Sequence, residues 1–239
     1  MKIGLVIPFH LRGEEKNECY VNTIYHYYFT DVDNLNFCGS EGKLSNSFIG
    51  STLTGLYNYS YFEVPQESVT ILSAGDDILR KKFNDSLATL PKNLDWYCLA
   101  GADDIVSIDF FQQLKQLDPS GIKMAGVGMD QPLYLLDESK AWNAHKIQIR
   151  YSVKLDLLPG INCFSRDAME ACDWKPYQRK GCETGAELLF RDLGKVIPLK
   201  GSVTMLKGDK CLNSLKKILR FHKSLPLTEQ ERDYLRSLV

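Results

Sequence analysis

Residues 94–111, LDWYCLAGADDIVSIDFF, carry a short apolar run that ends in two adjacent carboxylates, Asp103 and Asp104. The run predicts a buried strand over 96–100, which Gly101 ends. Ligands of α/β proteins bind at the carboxyl edge of the sheet, where this strand would place both acids. Oxygen ligands suit Mg²⁺ or Mn²⁺, which are completed by waters and substrate phosphates. The alternative is a solvated turn whose acid caps the next helix.

Strands and helices are expected to alternate along the first hundred residues. The run 2–8 is apolar and β-branched, as is typical of a buried parallel strand. Further strands are expected at 34–38, 61–64 and 69–72, and helices at 14–29, 45–57 and 76–90. This order predicts an α/β fold with a mostly parallel central sheet and helices on both faces.

The second half of the chain is expected to begin with the helix 108–117. Residues 147–158 alternate apolar and polar residues, which predicts strands, and 195–199 predicts another. Helices are expected at 168–172, 184–193, 211–221 and 228–238, the last with a Thr-x-x-Gln capping box that begins at Thr228. We therefore expect C-terminal helices after the α/β core.

Composition limits the class of protein. The 239 residues are within the range of one α/β core, and 44% hydrophobic with 25% charged residues argues against disorder. No apolar run approaches the roughly 20 residues of a membrane span. The chain opens directly on a strand without the pattern of a signal peptide, which predicts a cytoplasmic protein.

The spacing of the cysteines and the net charge limit the kinds of metal site and binding partner that the sequence supports. The seven cysteines are scattered and never form C-x-x-C, which indicates reduced thiols rather than disulfides or a zinc site. A net charge of −1 does not indicate binding to duplex nucleic acid. The basic residues of 207–223 form either a solvated helix face or a surface for a nucleotide diphosphate, an anionic acceptor or a membrane.

Several landmarks resemble the nucleotide-sugar-dependent glycosyltransferases of the GT-A fold, family 2-like members in particular. They occur in the family's order within residues 1–210: the strand Ile3–Pro8, Lys82-Phe83-Asn84, the DxD-type Leu99–Asp104, the Leu158-Pro159-Gly160 loop, Trp174 with Pro176, and the late helix with Glu183 and Glu187. Two features depart from the family. Gly101 stands where many members have the first Asp, and Lys207 stands where related enzymes often have a metal-binding His.

This resemblance implies roles for individual residues. The metal ligands would be Asp103 and Asp104, and the cation Mn²⁺ or Mg²⁺. Contacts to the nucleotide sugar, with a UDP-sugar as the expected donor, would come from Pro8, His10, Arg12, Ser40, Glu41, Lys82, Asn84, Asp103 and Lys207. The general base would be Glu183, with Glu187, one turn further on, as the second candidate; a helix N-terminus favours the ionised carboxylate. The alternative for Glu183 is a role in stabilising the helix terminus.

The resemblance implies transfer of a sugar from a nucleoside-diphosphate sugar to an acceptor hydroxyl, with inversion. One domain would comprise a nucleotide-sugar-binding half (1–106), an acceptor-side half (107–205) and a C-terminal helical segment (206–239). Asp130 and Trp174 are candidates for the acceptor pocket, although Trp174 suits the core equally. The acceptor would be a glycan or lipopolysaccharide, or a hydroxylated base in modified viral DNA.

Two other functions remain open. A sugar-nucleotide pyrophosphorylase shares this architecture, but it normally carries a Gly-rich loop with Arg and Lys after the first strand, which residues 8–13, PFHLRG, match poorly. A non-catalytic nucleotide-sugar-binding module would keep the fold without turnover.

Overall fold

The structure is a computed structural model that describes residues 1–8, 18–40, 45–53, 59–64, 75–137, 143–149, 154–179, 182–207, 218–220 and 222–238. Several expectations lie outside these ranges. They concern His10, Arg12, Glu41, the strand 69–72 and most of the helix 211–221.

The described part of the chain contains twelve strands and seven helices. The strands are β1 (Ile3–Pro8), β2 (Asn34–Ser40), β3 (Ser60–Val64), β4 (Trp96–Ala100), β5 (Asp104–Val106), β6 (Ile122–Val127), β7 (Leu133–Asp137), β8 (Asn143–Gln148), β9 (Ile161–Ser165), β10 (Lys195–Leu199), β11 (Val203–Lys207) and β12 (Lys223–Leu225). The helices are α1 (Glu18–Tyr28), α2 (Ser45–Thr52), α3 (Gly75–Leu87), α4 (Ile108–Gln116), α5 (Arg166–Ala171), α6 (Cys182–Leu193) and α7 (Glu229–Arg236).

Seven strands form a central sheet in the order β10-β6-β9-β4-β1-β2-β3. Strands β4, β1, β2 and β3 pair in parallel, as do β10 and β6. Only β9, within the described residues, runs antiparallel to its neighbours β4 and β6. The expected fold class, an α/β domain with a mostly parallel sheet, is confirmed.

Both faces of this sheet are covered by helices. Along β4, Trp96, Cys98 and Ala100 join a core cluster that contains buried residues of α1, α2 and α4. Tyr97 and Leu99 point the other way, into a cluster with residues of α3, α5 and α6. Burial on both faces explains why β4 is apolar throughout, in contrast to the alternating pattern of a half-exposed strand.

A second sheet of five strands, in the order β12-β8-β7-β11-β5, was not expected from the sequence. Its strand β5 pairs antiparallel with β11 and begins at Asp104, four residues after β4 ends at Ala100. The chain therefore passes from the central sheet to the second sheet through the acidic turn.

The expected strands over 147–158 are wrong in position. The strand is β8, Asn143–Gln148, whereas 154–158 is irregular apart from one bridge between Gly128 and Leu157. Backbone groups of 154–158 bond instead to a loop and a side chain: Met129 N donates to Asp156 O (2.8 Å), and Asp156 N to the Glu187 carboxylate (2.6 Å). Local alternation did not reveal these distant partners.

Further elements differ from the expectation. Strands β6 and β9 of the central sheet were not predicted, and the C-terminal segment contains β12 as well as a helix. A capping box forms at Thr228 as predicted, but its second member is Glu231 and not a glutamine: the Thr228 hydroxyl accepts from Glu231 N, and the Glu231 carboxylate accepts from Thr228 N. Within the described ranges, every helix is too short or too polar to span a bilayer.

Candidate functional site

The acidic turn joins β4 to β5 at the carboxyl edge of the central sheet. Asp104 N donates to Gly101 O (3.2 Å), which closes the turn, and Leu206 N donates to Asp103 O (2.7 Å), which fixes it to β11. Asp103 is half-buried, whereas Asp104 is only 7% exposed. The two acids therefore differ: Asp103 reaches solvent and Asp104 is folded into the protein.

The Asp104 carboxylate lies between two glycines. A Cβ on Gly101 would collide with this carboxylate, and a Cβ on Gly160 would contact Asp104 Cβ at 3.6 Å. Gly160 has a φ of +115°, a backbone conformation that L side chains rarely adopt, and its carbonyl accepts from Gly101 N (3.2 Å). This arrangement explains why residue 101 is glycine where related motifs have Asp: the space is filled by Asp104.

Other predicted nucleotide contacts lie at the same edge of the sheet. Pro8 ends β1, which pairs in parallel with β4 and, through Pro8 and Cys38, with β2. Ser40 ends β2 two residues later, although its side chain is outside the described part of the chain. The carboxyl ends of β1, β2 and β4 thus meet at one edge of the sheet, where open α/β sheets bind ligands.

A small cleft separates the Leu158-Pro159-Gly160 loop from α6. It is lined by Leu155, Leu157, Leu158, Pro159, Asn162, Thr184 and Glu187. Glu183 is the second residue of α6 and precedes Thr184, but its side chain lies outside the description. The structure therefore places the helix N-terminus that carries Glu183 beside the loop that contacts the acidic turn.

Glu187 holds the irregular segment against α6. Glu187 is 2% exposed, and its carboxylate accepts from Asp156 N (2.6 Å) and Leu157 N (3.3 Å) and pairs with Arg191 (2.9 Å). Arg191 also pairs with Asp156 (2.6 Å). Burial raises the pKa of Glu187, although these hydrogen bonds and the guanidinium oppose the shift. This second candidate base lines the cleft, but its oxygens are engaged with the backbone.

Lys82 and Asn84 lie on α3. The Asn84 amide forms two hydrogen bonds with the Tyr177 backbone, donating to the carbonyl (3.2 Å) and accepting from the N–H (3.1 Å). Lys82 is half-buried and near the Cys38 thiol, whose pKa is raised by burial to about 11. Asn84 therefore joins α3 to the segment after α5.

The remaining sequence candidates occupy different regions. Lys207 ends β11 and follows Leu206, whose N–H donates to Asp103 O. The side chain of Lys207 lies outside the described part of the chain. Asp130 follows β6 at the carboxyl edge. Trp174 packs edge-on against Tyr97 near the start of β4, with ring centroids 5.2 Å apart. Trp174 therefore contributes to the core at the opposite end of β4 from the acidic turn.

Sequence reasoning missed Asn162 and Thr184 in the cleft. Asn162 is buried on β9 and donates to the Tyr177 hydroxyl (3.1 Å). The signal that could have found it is a polar residue two positions after Gly160, inside an otherwise apolar run.

The carboxylates of the acidic turn suit a cation whose remaining ligands would come from waters and the substrate. Among the residues that the structure describes, no group of three or more His, Cys, Asp and Glu side chains could hold a metal ion. The acidic turn contributes two carboxylates, of which Asp103 faces solvent. Mg²⁺ and Mn²⁺ accept such incomplete protein sites because waters and phosphate oxygens supply the other ligands.

Comparison with known proteins by sequence finds no relative: no family model and no curated protein matches this chain. Solved structures do resemble it. A 4-diphosphocytidyl-2C-methyl-D-erythritol synthase from Anaerococcus prevotii superposes with a TM-score of 0.53 at 11% identity, covering 98% of this chain and 96% of that one. The inositol-1-phosphate CTP transferase from T. maritima has a TM-score of 0.51 at 10% identity and covers 100% and 97%.

A glycosyltransferase structure superposes on this chain with a TM-score similar to those of the two nucleotidyltransferases. The mannosyltransferase PcManGT from Pyrobaculum calidifontis, solved with GDP-Man and Mn²⁺, has a TM-score of 0.54 at 11% identity and covers 84% of this chain and 56% of that one. At these identities the likeness concerns the fold alone. The chain has the α/β fold that nucleotidyltransferases and GT-A-type glycosyltransferases share.

Proposed function

We propose that this chain is a metal-dependent glycosyltransferase that transfers a sugar from a nucleoside-diphosphate sugar to an acceptor hydroxyl, with inversion. The observation that carries the proposal is the acidic turn at the carboxyl edge of β4, bonded through Gly101 to Gly160. The cleft beyond that loop leads to the helix N-terminus that carries Glu183. A diphosphate site and an acceptor-side carboxylate would therefore lie on either side of one loop.

In this proposal the two acids have different tasks. Asp103 contributes the carboxylate that reaches solvent, and Asp104 fills the space between Gly101 and Gly160 and fixes the turn. Mn²⁺ or Mg²⁺ held there would neutralise charge on the diphosphate leaving group. The ends of β1 and β2, with Pro8 and Ser40, would border the nucleotide, and Lys82 and Lys207 would add positive charge.

Glu183 would accept the proton of the acceptor hydroxyl. As the proton leaves, the acceptor oxygen bonds the anomeric carbon and the bond from that carbon to the diphosphate breaks. A carboxylate in the first turn of a helix is stabilised in its ionised form, so it is ready to accept a proton at neutral pH. We assign Glu187 and Asn84 to the scaffold, since both bond to backbone groups in the structure.

A nucleotidyltransferase is the second candidate. It is favoured by coverage, because the two nucleotidyltransferases match over 96% and 97% of their own length and PcManGT over 56%. It would join a nucleoside triphosphate to a sugar phosphate with release of pyrophosphate. Residues 8–13, PFHLRG, do not resemble the Gly-rich loop that such enzymes carry after the first strand.

The test has two stages. Thermal-shift measurements with UDP-, GDP-, CDP- and dTDP-sugars in Mn²⁺ identify the donor, because a ligand of the folded state raises the melting temperature. The selected donor is then incubated with Mn²⁺ and candidate acceptors, with a glycan first and hydroxylated DNA second. Release of a nucleoside diphosphate supports the proposal. Pyrophosphate formed from the triphosphate and a sugar phosphate, or binding without either product, would overturn it.

A further inference from the structure

We propose that Tyr27 and His26 of helix α1 are positioning residues that hold the acidic turn in its metal-binding geometry. This inference rests on the proposed function, because it concerns the same metal site. Their role follows from the edge of strand β5, which begins at Asp104.

Strand β5 is an edge strand of the second sheet and, among the described strands, pairs only with β11. Carbonyls of successive residues in a strand point to opposite sides. The Asp103 carbonyl points to β11 and accepts from Leu206 N. The carbonyls of Asp104 and Val106 therefore point to the other side, where no strand within the described ranges supplies N–H groups.

Two consecutive side chains of α1 supply the missing donors. The Tyr27 hydroxyl donates to Asp104 O (2.9 Å), and His26 Nε2 bonds to Val106 O (2.6 Å). A carbonyl oxygen can only accept, so His26 carries its proton on Nε2. The pair takes the place of a neighbouring strand and covers the edge of β5.

The surroundings hold the Tyr27 donor in place. Tyr27 is fully buried, and its ring packs edge-on against Phe111, with centroids 6.2 Å apart. This packing fixes the direction of the Tyr27 hydroxyl towards the carbonyl of Asp104.

Both sides of the acidic turn are thus restrained through its backbone. Strand β11 holds Asp103 through its carbonyl, and Tyr27 holds Asp104 through its carbonyl. Partners that orient metal ligands without touching the metal affect its affinity strongly, with losses of about 10–100-fold on mutation.

The test compares Tyr27→Phe with Tyr25→Phe. Tyr25 is a matched control because its hydroxyl, on the same helix, donates to a carbonyl of α2, Thr52 O (2.6 Å), rather than to the turn. Mn²⁺ alone is titrated into each protein and the free ion is followed by electron paramagnetic resonance. We expect about 10-fold weaker Mn²⁺ binding in Tyr27→Phe and less than about 2-fold change in Tyr25→Phe.

Asp103→Asn distinguishes a failure of the proposed metal site from a failure of the positioning role alone. If this variant binds Mn²⁺ as the wild type does, the proposed metal site is overturned, and this inference with it. If Asp103→Asn loses Mn²⁺ while Tyr27→Phe and Tyr25→Phe bind equally well, only the positioning role is overturned.

A second pair keeps the test decisive if Tyr27→Phe does not fold. His26→Gln retains a side-chain N–H donor and His26→Leu does not. Weaker Mn²⁺ binding in His26→Leu than in His26→Gln supports the inference, and equal binding overturns it.

Discussion

The backbone N–H of Gly101 donates to the carbonyl oxygen of Gly160 across 3.2 Å. This bond joins the acidic turn to the Leu158-Pro159-Gly160 loop, and the Asp104 carboxylate lies between the two glycines. Gly101 therefore leaves the space that the Asp104 carboxylate fills, and Gly160 provides the positive φ of the loop.

Gly160→Ala tests that dependence. The added Cβ would meet the Val203 side chain at 2.6 Å and would be strained at a φ of +115°. We expect a loss of about 2 kcal/mol or more in the free energy of unfolding, measured with urea. Gly121→Ala is the control, because Gly121 has a φ of +72° but open space around it, and should lose about 1 kcal/mol. Equal losses would contradict the packing argument.

Asn84→Ala distinguishes a scaffold residue from a nucleotide contact. Loss of both hydrogen bonds to the Tyr177 backbone should lower the free energy of unfolding by about 1–3 kcal/mol. The thermal shift caused by the donor sugar nucleotide should be unchanged. Asp85→Ala, at the next position of α3, controls for the helix. A stable Asn84→Ala protein that no longer binds the nucleotide would show that our assignment is wrong.

The two glutamates of α6 should separate by phenotype. Glu183→Gln should reduce kcat by about 100-fold or more with little change in stability, because it removes the proposed general base. Glu187→Gln should lower the free energy of unfolding by about 1–3 kcal/mol, because its oxygens hold the backbone of Asp156 and Leu157. Each variant is compared by urea unfolding and by steady-state turnover. The reverse pattern would assign the base to Glu187.

Glu231 should make stability depend on pH. Burial would raise its pKa, but donation from Lys146, Thr228 and Tyr134 overcomes this and lowers the pKa to about 2, below the ordinary 4.5. A depressed acid pKa stabilises the folded state above pH 4.5, and this stabilisation is lost as pH falls towards 2.

The measurement is urea unfolding of wild type and Glu231→Gln between pH 3 and pH 7. The difference in unfolding free energy should be about 2–3 kcal/mol near pH 7 and should shrink towards pH 3. Glu229→Gln, an exposed residue in the same first turn, is the control. A difference that is independent of pH would contradict the ion-pair account.

The sequence predicted those parts of the fold whose signal is local. Strands β4 and β10 were predicted with their observed bounds, because each is a short run of strand-forming residues with a break at both ends. The acidic turn was found because its two carboxylates directly follow the apolar run of β4. Strand β9 was missed, since its five residues become a strand only by insertion between β4 and β6. Strands β5 and β12, of three residues each, are too short to show periodicity.

The site was predictable to a similar extent. Asp104 and Gly160 were among the landmarks found from motif order, and the structure places them side by side. Tyr27 was not predicted, because its partner lies 77 residues away and is a backbone carbonyl, which leaves no trace in either residue type. The same holds for the amide of Asn84, whose partners are backbone atoms of Tyr177.

The turnover of Asp103→Asn in Mn²⁺ shows whether the acidic turn holds the metal. Release of nucleoside diphosphate from the donor identified by thermal shift should fall by about 100-fold or more, with the fold retained by circular dichroism. Asp109→Asn, which changes an exposed carboxylate in the first turn of α4, should match the wild type. Turnover of Asp103→Asn equal to that of the wild type would show that the acidic turn does not hold the metal.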